Sequence, residues 1–75
     1  MNGSVIRTAF ENVAAHISNL ETVKELVDTL ESEDLSLTES ITRLEEEIEN
    51  AEVTLRTDIR ILINECRHLE SRMRR

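Results

Sequence analysis

The sequence contains no proline, tryptophan or tyrosine, and it has one glycine, Gly3, one phenylalanine, Phe10, and one cysteine, Cys66. Because β-rich folds need glycine and proline at their turns, this composition argues against strands. A lone cysteine excludes an internal disulfide. The shortage of aromatic side chains argues against a ligand pocket built on stacking, so the composition favours packed helices.

What remains is typical of a coiled coil: charged residues make up 33% of the chain, and the apolar residues are mostly Leu, Ile, Val and Ala. A chain of 75 residues forms one domain at most, and we assign residues 1–75 to a single helical-hairpin domain. Residues 1–20 lack the apolar run of a signal peptide, and no stretch has the length of a membrane span. We therefore expect a cytoplasmic protein that does not contact a membrane.

The charge is unevenly distributed along the chain. The net charge of −7 argues against binding of nucleic acid or anionic membranes. Counting charged residues gives −10 from Glu21 to Glu52 and +3 from Val53 to Arg75. The arginines suit the C-terminus of a helix, where cations oppose the macrodipole. A tail that contacts nucleic acid is the alternative, although no aromatic residues accompany these arginines.

Apolar residues in the second half of the chain recur at steps of three and four, which is the spacing of a coiled-coil seam. The seam consists of Leu37, Ile41, Leu44, Ile48, Ala51, Leu55, Ile59, Leu62, Cys66, Leu69 and Met73. A similar series runs through the first half from Ile6 to Leu30. Both halves are therefore predicted to be helical.

The boundaries of these helices follow from polar residues. Ser4 is a candidate N-cap, and Ser36 with Glu39 forms a capping box in front of the seam. Ser and Asp side chains between residues 32 and 36 weaken a helix interior. We predict an all-α fold of two long helices in an antiparallel coiled-coil hairpin, assembling into a helical bundle. Helix 1 spans about residues 4–31, the turn 32–36, and helix 2 about 37–74.

The spacing slips at two places. Two steps of three follow each other around Leu20, and two steps of four follow each other at Ala51, Leu55 and Ile59. Such slips overwind or unwind a supercoil locally. We expect both helices to continue through them.

The predicted helices differ in length by roughly ten residues, or ~15 Å. The end of the seam would therefore extend beyond helix 1 and face water in a monomer. We expect the chain to pair with itself, as a homodimer or larger oligomer, and also with a larger protein. The residues predicted to form this interface are Ile41, Leu44, Ile48, Leu55, Ile59, Leu62, Cys66, Leu69 and Met73.

No catalytic, cofactor-binding or metal-binding residue is predicted. Cys66 and His68 are two positions apart, so on a helix they point in different directions and cannot hold one metal ion. Glu45, Glu49 and Glu52 share a helix face, but no second acidic cluster faces them. We therefore do not expect an enzyme.

From Leu20 to Ala51 the chain resembles the small subunit of bacterial exonuclease VII. The family pattern includes L-E-S-G-D-L-x-L, and the corresponding stretch here reads L-E-S-E-D-L-S-L. The matching residues are Leu26, Val27, Leu30, Glu31, Ser32, Asp34, Leu35, Leu37, Glu39, Ile41 and Glu45. Glu33 and Glu47 replace two family glycines, and Leu44 replaces an aromatic residue. The resemblance implies a non-catalytic helical subunit that assembles on a large nuclease subunit.

Three functions remain open on this evidence. The first is a non-catalytic coiled-coil subunit for protein interaction and oligomerisation, accessory to a nuclease if the resemblance reflects kinship. The second is a self-assembling structural or scaffold module. The third is a small acidic inhibitor of the phage type, which would place the segment of net charge −10 in the basic groove of a nucleic-acid enzyme.

Overall fold

Residues 4–73, which a computed structural model describes, form four α-helices and no strand. The helices are α1 (Val5–Val13), α2 (Leu20–Ser32), α3 (Leu37–Asn50) and α4 (Val53–Met73). A short 3₁₀ segment, Ala14–His16, follows α1. The all-α class predicted from the composition is confirmed.

The structure does not confirm the two long helices of the predicted hairpin, because each half of the chain is itself divided. Helix 1 is interrupted between Val13 and Leu20, and helix 2 is interrupted at Ala51 and Glu52. Ile17 and Ala51 both adopt extended backbone conformations after the preceding helical segment. These breaks coincide with the two slips in apolar spacing, so at each slip the helix ends and the chain reverses.

The predicted helix starts are confirmed by their capping contacts. The Ser4 hydroxyl accepts a hydrogen bond from the Arg7 amide at 3.1 Å. The Ser36 hydroxyl accepts from the Glu39 amide at 3.1 Å, and the Glu39 carboxylate accepts from the Ser36 amide at 2.9 Å. The turn before α3 contains Asp34 at φ 55°, a left-handed conformation that Asp tolerates better than most residues.

A polar network holds α1 antiparallel to α2. Arg7 forms ion pairs with Asp28 and Glu31, and the Ser4 hydroxyl donates to Glu31 at 2.6 Å. Residues near the start of α1 thus contact the end of α2. Hydrogen bonds from Arg7 hold the pKa of both carboxyl groups below their usual values.

The longest helix, α4, lies against the other three. Thr38 near the start of α3 donates to Glu70 near the end of α4 at 2.7 Å, so these helices are antiparallel. Asn12 of α1 donates to Glu65 at 2.9 Å. The described chain measures 34 × 22 × 21 Å, whereas a single helix of residues 37–74 would be roughly 55 Å long.

The core forms where the apolar faces of α1, α2 and α3 pack against α4. It contains most of the spaced apolar residues of both halves of the sequence, which are packed against each other within one chain. Its buried members are Ile6, Ala9, Phe10, Val13, Ile17, Val23, Val27, Leu30, Ile41, Leu44, Ile59, Leu62, Ile63 and Cys66.

One charged side chain, Asp58 of α4, is buried at this core with 2% of its surface exposed. Its carboxylate accepts hydrogen bonds from the Ser18 amide at 3.0 Å, the Asn19 amide at 2.8 Å and the Asn19 side-chain amide at 2.9 Å. Asn19 is the N-cap of α2, and its own side chain caps nothing. Asp58 therefore supplies, from another helix, an acceptor and a negative charge at the N-terminus of α2.

The hydrogen bonds decide the protonation of Asp58. Burial alone would raise the pKa of this carboxyl group. The amides of Ser18 and Asn19 together outweigh that effect and lower the pKa below its usual value. The side chain is therefore an anion at neutral pH.

Replacing Asp58 with alanine should reduce the free energy of unfolding by about 3 kcal/mol, because it leaves donors at Ser18 and Asn19 without an acceptor. Urea denaturation followed by circular dichroism measures the change. Thr57→Ala, at the exposed neighbouring position, is the matched control and should change stability by about 0.5 kcal/mol or less. Equal losses in the two variants would contradict a structural role for Asp58.

Stability should also fall in acid. Because the pKa of Asp58 is lowered on folding, its stabilisation is complete above the unfolded pKa of about 3.9 and is lost as pH falls through the folded value. Asp28 and Glu31 act in the same direction. Urea denaturation between about pH 7 and pH 2 should show little change down to about pH 5 and then a decline. Asp58→Asn should make that decline shallower, and an unchanged slope in this variant would refute the assignment.

Candidate functional site

The nine residues predicted to form a partner interface fall into two groups. Five of them are buried in the core of the chain itself, namely Ile41, Leu44, Ile59, Leu62 and Cys66. Four of them retain exposed surface, since Ile48, Leu55 and Leu69 are half-buried and Met73 is exposed. Only the second group is available to another molecule.

The predicted overhang is shorter than the sequence suggested. Because α1 runs antiparallel along the C-terminal half of α4, Cys66 is fully buried and does not project. The overhang is thereby reduced to the last turns of α4, where Leu69 is half-buried and Met73 is 62% exposed.

An apolar surface, which we call the end surface, lies where the C-terminus of α4 meets the start of α1 and the turn before α3. We define it by Val5, Leu35, Leu37, Leu69 and Met73. Two open grooves of about 480 and 160 Å³ meet there and share Val5 and Met73. The larger is lined by Val5, Thr8, Asn12, Leu69, Arg72 and Met73, and the smaller by Ser4, Val5, Ile6, Leu35, Leu37, Ser40 and Met73. Within the described part of the chain, neither lining includes a carboxylate.

A third groove of about 280 Å³, which we call the α3–α4 groove, runs between these two helices. It is lined by Glu45, Ile48, Arg60, Ile63, Asn64 and Arg67. Arg67 and Glu45 form an ion pair across it. The groove therefore combines an apolar floor with charged groups of both signs on its rim.

Charge is segregated between the two helices that form this groove. The exposed ionisable residues of α3 are acidic, namely Glu39, Glu45, Glu46, Glu47 and Glu49. The arginines of α4 are all exposed, namely Arg56, Arg60, Arg67 and Arg72. The acidic residues of α4 are buried or half-buried. At the α3–α4 groove this places acidic Glu45 on the α3 side and basic Arg60 and Arg67 on the α4 side, whereas Arg43 of α3 pairs with Glu33 and Arg72 lines the end surface.

Cys66 and His68 lie on different faces of α4, as the spacing predicted: the thiol is buried and the imidazole is exposed. Burial, together with the charges of Glu65 and Glu70, raises the pKa of the thiol to about 12. Such a thiol is protonated and enclosed, which are properties of a packing residue. Within residues 4–73 no three His, Cys, Asp or Glu side chains are grouped so that they could hold a metal ion.

Asp58, a buried and hydrogen-bonded carboxylate, is the residue that the spacing of the sequence did not predict. Both Asp58 and Ile59 lie at helical spacing from Leu55, three and four residues later. The seam assignment takes the apolar Ile59 and leaves Asp58 outside. The structure buries both residues. The slip in spacing was therefore the available signal that this part of α4 faces two different neighbours.

No helix within residues 4–73 combines the length and the apolar character that crossing a membrane would require. Comparison with known proteins finds no matching family model, curated protein or solved structure. The resemblance to the exonuclease VII small subunit therefore stays a prediction.

Native Cys66 should react with a thiol reagent such as DTNB at pH ~8 at least about a hundredfold more slowly than in denaturing urea. The cause is its burial and its pKa of about 12. Absorbance of the released thiolate follows the reaction, and full reaction in urea is the control. Similar rates in both solvents would show that the thiol is open in the folded chain.

Proposed function

We propose that this chain is a non-catalytic helical interaction module that self-associates through the end surface. The observation that carries the proposal is the exposed Met73 beside an open groove with the apolar side chains of Val5 and Leu69 in its lining. Among residues 4–73 the other exposed large apolar side chains, Leu20 and Val53, do not line this groove. The function is therefore performed by a surface and needs no reactive group.

The end surface has the physical character of a contact site. Covering apolar surface contributes roughly 25 cal/mol per Å² removed from water. Met73 has an unbranched, flexible side chain that adapts to an irregular groove. A chain of 75 residues also has a small core, so an association that covers more apolar surface contributes appreciably to its stability.

A second copy is the occupant that fits this surface best. The surface supplies both a projecting side chain, Met73, and a groove next to it, lined by Val5 and Leu69. A twofold axis through the surface would place each Met73 in the groove of the other copy. Since none of residues 4–73 contributes a carboxylate to either lining, the local repulsion between two chains of net charge −7 is smaller at this surface than at the acidic face of α3.

Docking on a larger protein is the competing occupant of the same surface. The resemblance to the exonuclease VII small subunit supports that version, and the matching residues lie on α2, the following turn and α3. The self-association version requires only the residues described above. The two versions differ in the mass of the isolated chain.

At about 50 μM and about 500 mM NaCl, where contacts between exposed charges are screened, we expect the isolated chain to have at least twice the mass of one polypeptide. Met73→Asp should convert it to a monomer under these conditions, because a buried unpaired carboxylate costs several kcal/mol. Light scattering coupled to size exclusion measures the mass. Val53→Asp is the matched control: Val53 is 74% exposed and lies about 30 Å away at the other end of α4.

Circular dichroism of Met73→Asp should show unchanged helicity, so that loss of mass reports loss of contact. A monomeric wild-type chain would refute self-association. A monomer that forms a defined complex with a purified large nuclease subunit would assign the end surface to docking instead. Equal effects of Met73→Asp and Val53→Asp would show that the end surface is not the contact.

A further inference from the structure

We infer that the α3–α4 groove is a second self-association surface, in which the acidic face of α3 from another copy covers the arginines of α4. This inference rests on the proposed function, because it adds a second contact to the same assembly. It is carried by different residues from those of the end surface, and the two can be tested separately.

The floor of the groove is apolar, and only its α3 side keeps exposed surface. Ile63 is 4% exposed, and Ile48, on the facing side of α3, is half-buried. The rim carries exposed Arg60 and Asn64 from α4. An apolar floor within a polar rim is the usual anatomy of a protein–protein contact.

The rim charges are only partly neutralised within one chain. Arg67 and Glu45 are paired across the groove. Arg60, which lines the groove, and Glu49, which lies one helical turn beyond Glu45 on α3, form no ion pair or side-chain hydrogen bond with any residue among 4–73. A basic and an acidic group are thus left without partners on adjacent helices.

The register of α3 and α4 determines what a second copy would present. The contacts between Glu45 and Arg67 and between Thr38 and Glu70 show how the antiparallel helices align. Continuing that alignment places Arg60 level with the last turn of α3, which contains Glu49.

A twofold axis parallel to the helices would lay α4 of one copy on α3 of the other at the same level. Arg60 would then face Glu49 of the second copy, and symmetry would repeat this contact. A twofold axis perpendicular to the helices would instead place α4 on α4 and bring arginines together, which is unfavourable. Charge therefore selects the first arrangement.

A second copy fits this groove better than nucleic acid does. Phosphates need a field of one sign, whereas Glu45 lies on the rim of the groove and Glu49 follows one helical turn later on the same face of α3. A second copy presents both signs in the complementary order. The groove is therefore assigned to protein and not to nucleic acid.

Two separate twofold contacts on one chain close into a dimer of dimers when their axes intersect at right angles, which is the arrangement expected here. The end surface is apolar and should be insensitive to salt, whereas contacts between exposed charges weaken as salt screens them. The wild-type chain should thus be a tetramer at about 50 mM NaCl and a dimer at about 500 mM NaCl. Sedimentation equilibrium at both concentrations measures this step.

Charge reversal tests the named pair. Arg60→Glu should raise the dissociation constant of the tetramer into dimers at least about tenfold, leaving a dimer at low salt. The double variant Arg60→Glu with Glu49→Arg restores opposite charges and should return the constant to within about threefold of wild type. Lys24→Glu, which makes the same charge change on exposed α2, is the matched control and should leave the constant unchanged. Circular dichroism checks that each variant folds.

The outcomes separate the two surfaces. A dimer at both salt concentrations that Met73→Asp dissociates and Arg60→Glu does not would overturn the groove contact and leave the proposed function intact. A salt-sensitive dimer that Arg60→Glu dissociates and Met73→Asp does not would support the groove and overturn the end surface. Tetramer loss without rescue in the double variant would overturn the pairing of Arg60 with Glu49.

Discussion

The carboxylate of Asp58 holds together two parts of the chain that are about forty residues apart in sequence. A reversal between α1 and α2 exposes backbone amides at the start of α2, and buried amides without acceptors are costly. Asp58 satisfies the amides of Ser18 and Asn19 from the middle of α4. This interaction therefore links the break in the first half of the chain to the position of α4 against it, beside the closed core.

Local signals in the sequence were sufficient for the fold class and for several boundaries. The caps at Ser4 and Ser36 depend on residues within three positions of each other, and the structure contains both. The interruptions depend on contacts far away in sequence. A slip in apolar spacing is compatible with a continuous helix that changes its supercoil or with a helix that ends. At Leu20 the distant carboxylate of Asp58 favours the second outcome, and the spacing carries no trace of that partner.

The candidate site was only partly predictable for a related reason. The seam spacing predicts that Leu62 and Cys66 are buried, but it does not predict whether the surface that covers them belongs to the same chain. Once α1 folds back along α4, those residues are used internally. Met73, the last residue of α4, remains 62% exposed although Val5 of α1 and Leu37 of α3 line the same grooves. The charge difference between the two halves was visible in the sequence, but its arrangement on adjacent helices depended on the antiparallel packing of α3 and α4.

The two interruptions also change what kind of association the chain can form. An unbroken hairpin would present a long open seam, and register along such a seam is weakly specified when Leu, Ile and Ala alternate at its positions. Folding each half back on itself buries most of the seam and yields a radius of gyration of 11.4 Å, close to the value of about 11 Å typical for a compact domain of this length. The surface left over is small and local: an apolar end around Met73 and a charged groove beside Arg60. Because these two surfaces differ in chemistry, the two proposed contacts would respond differently to salt and to substitution, a separation that a single continuous seam would not permit.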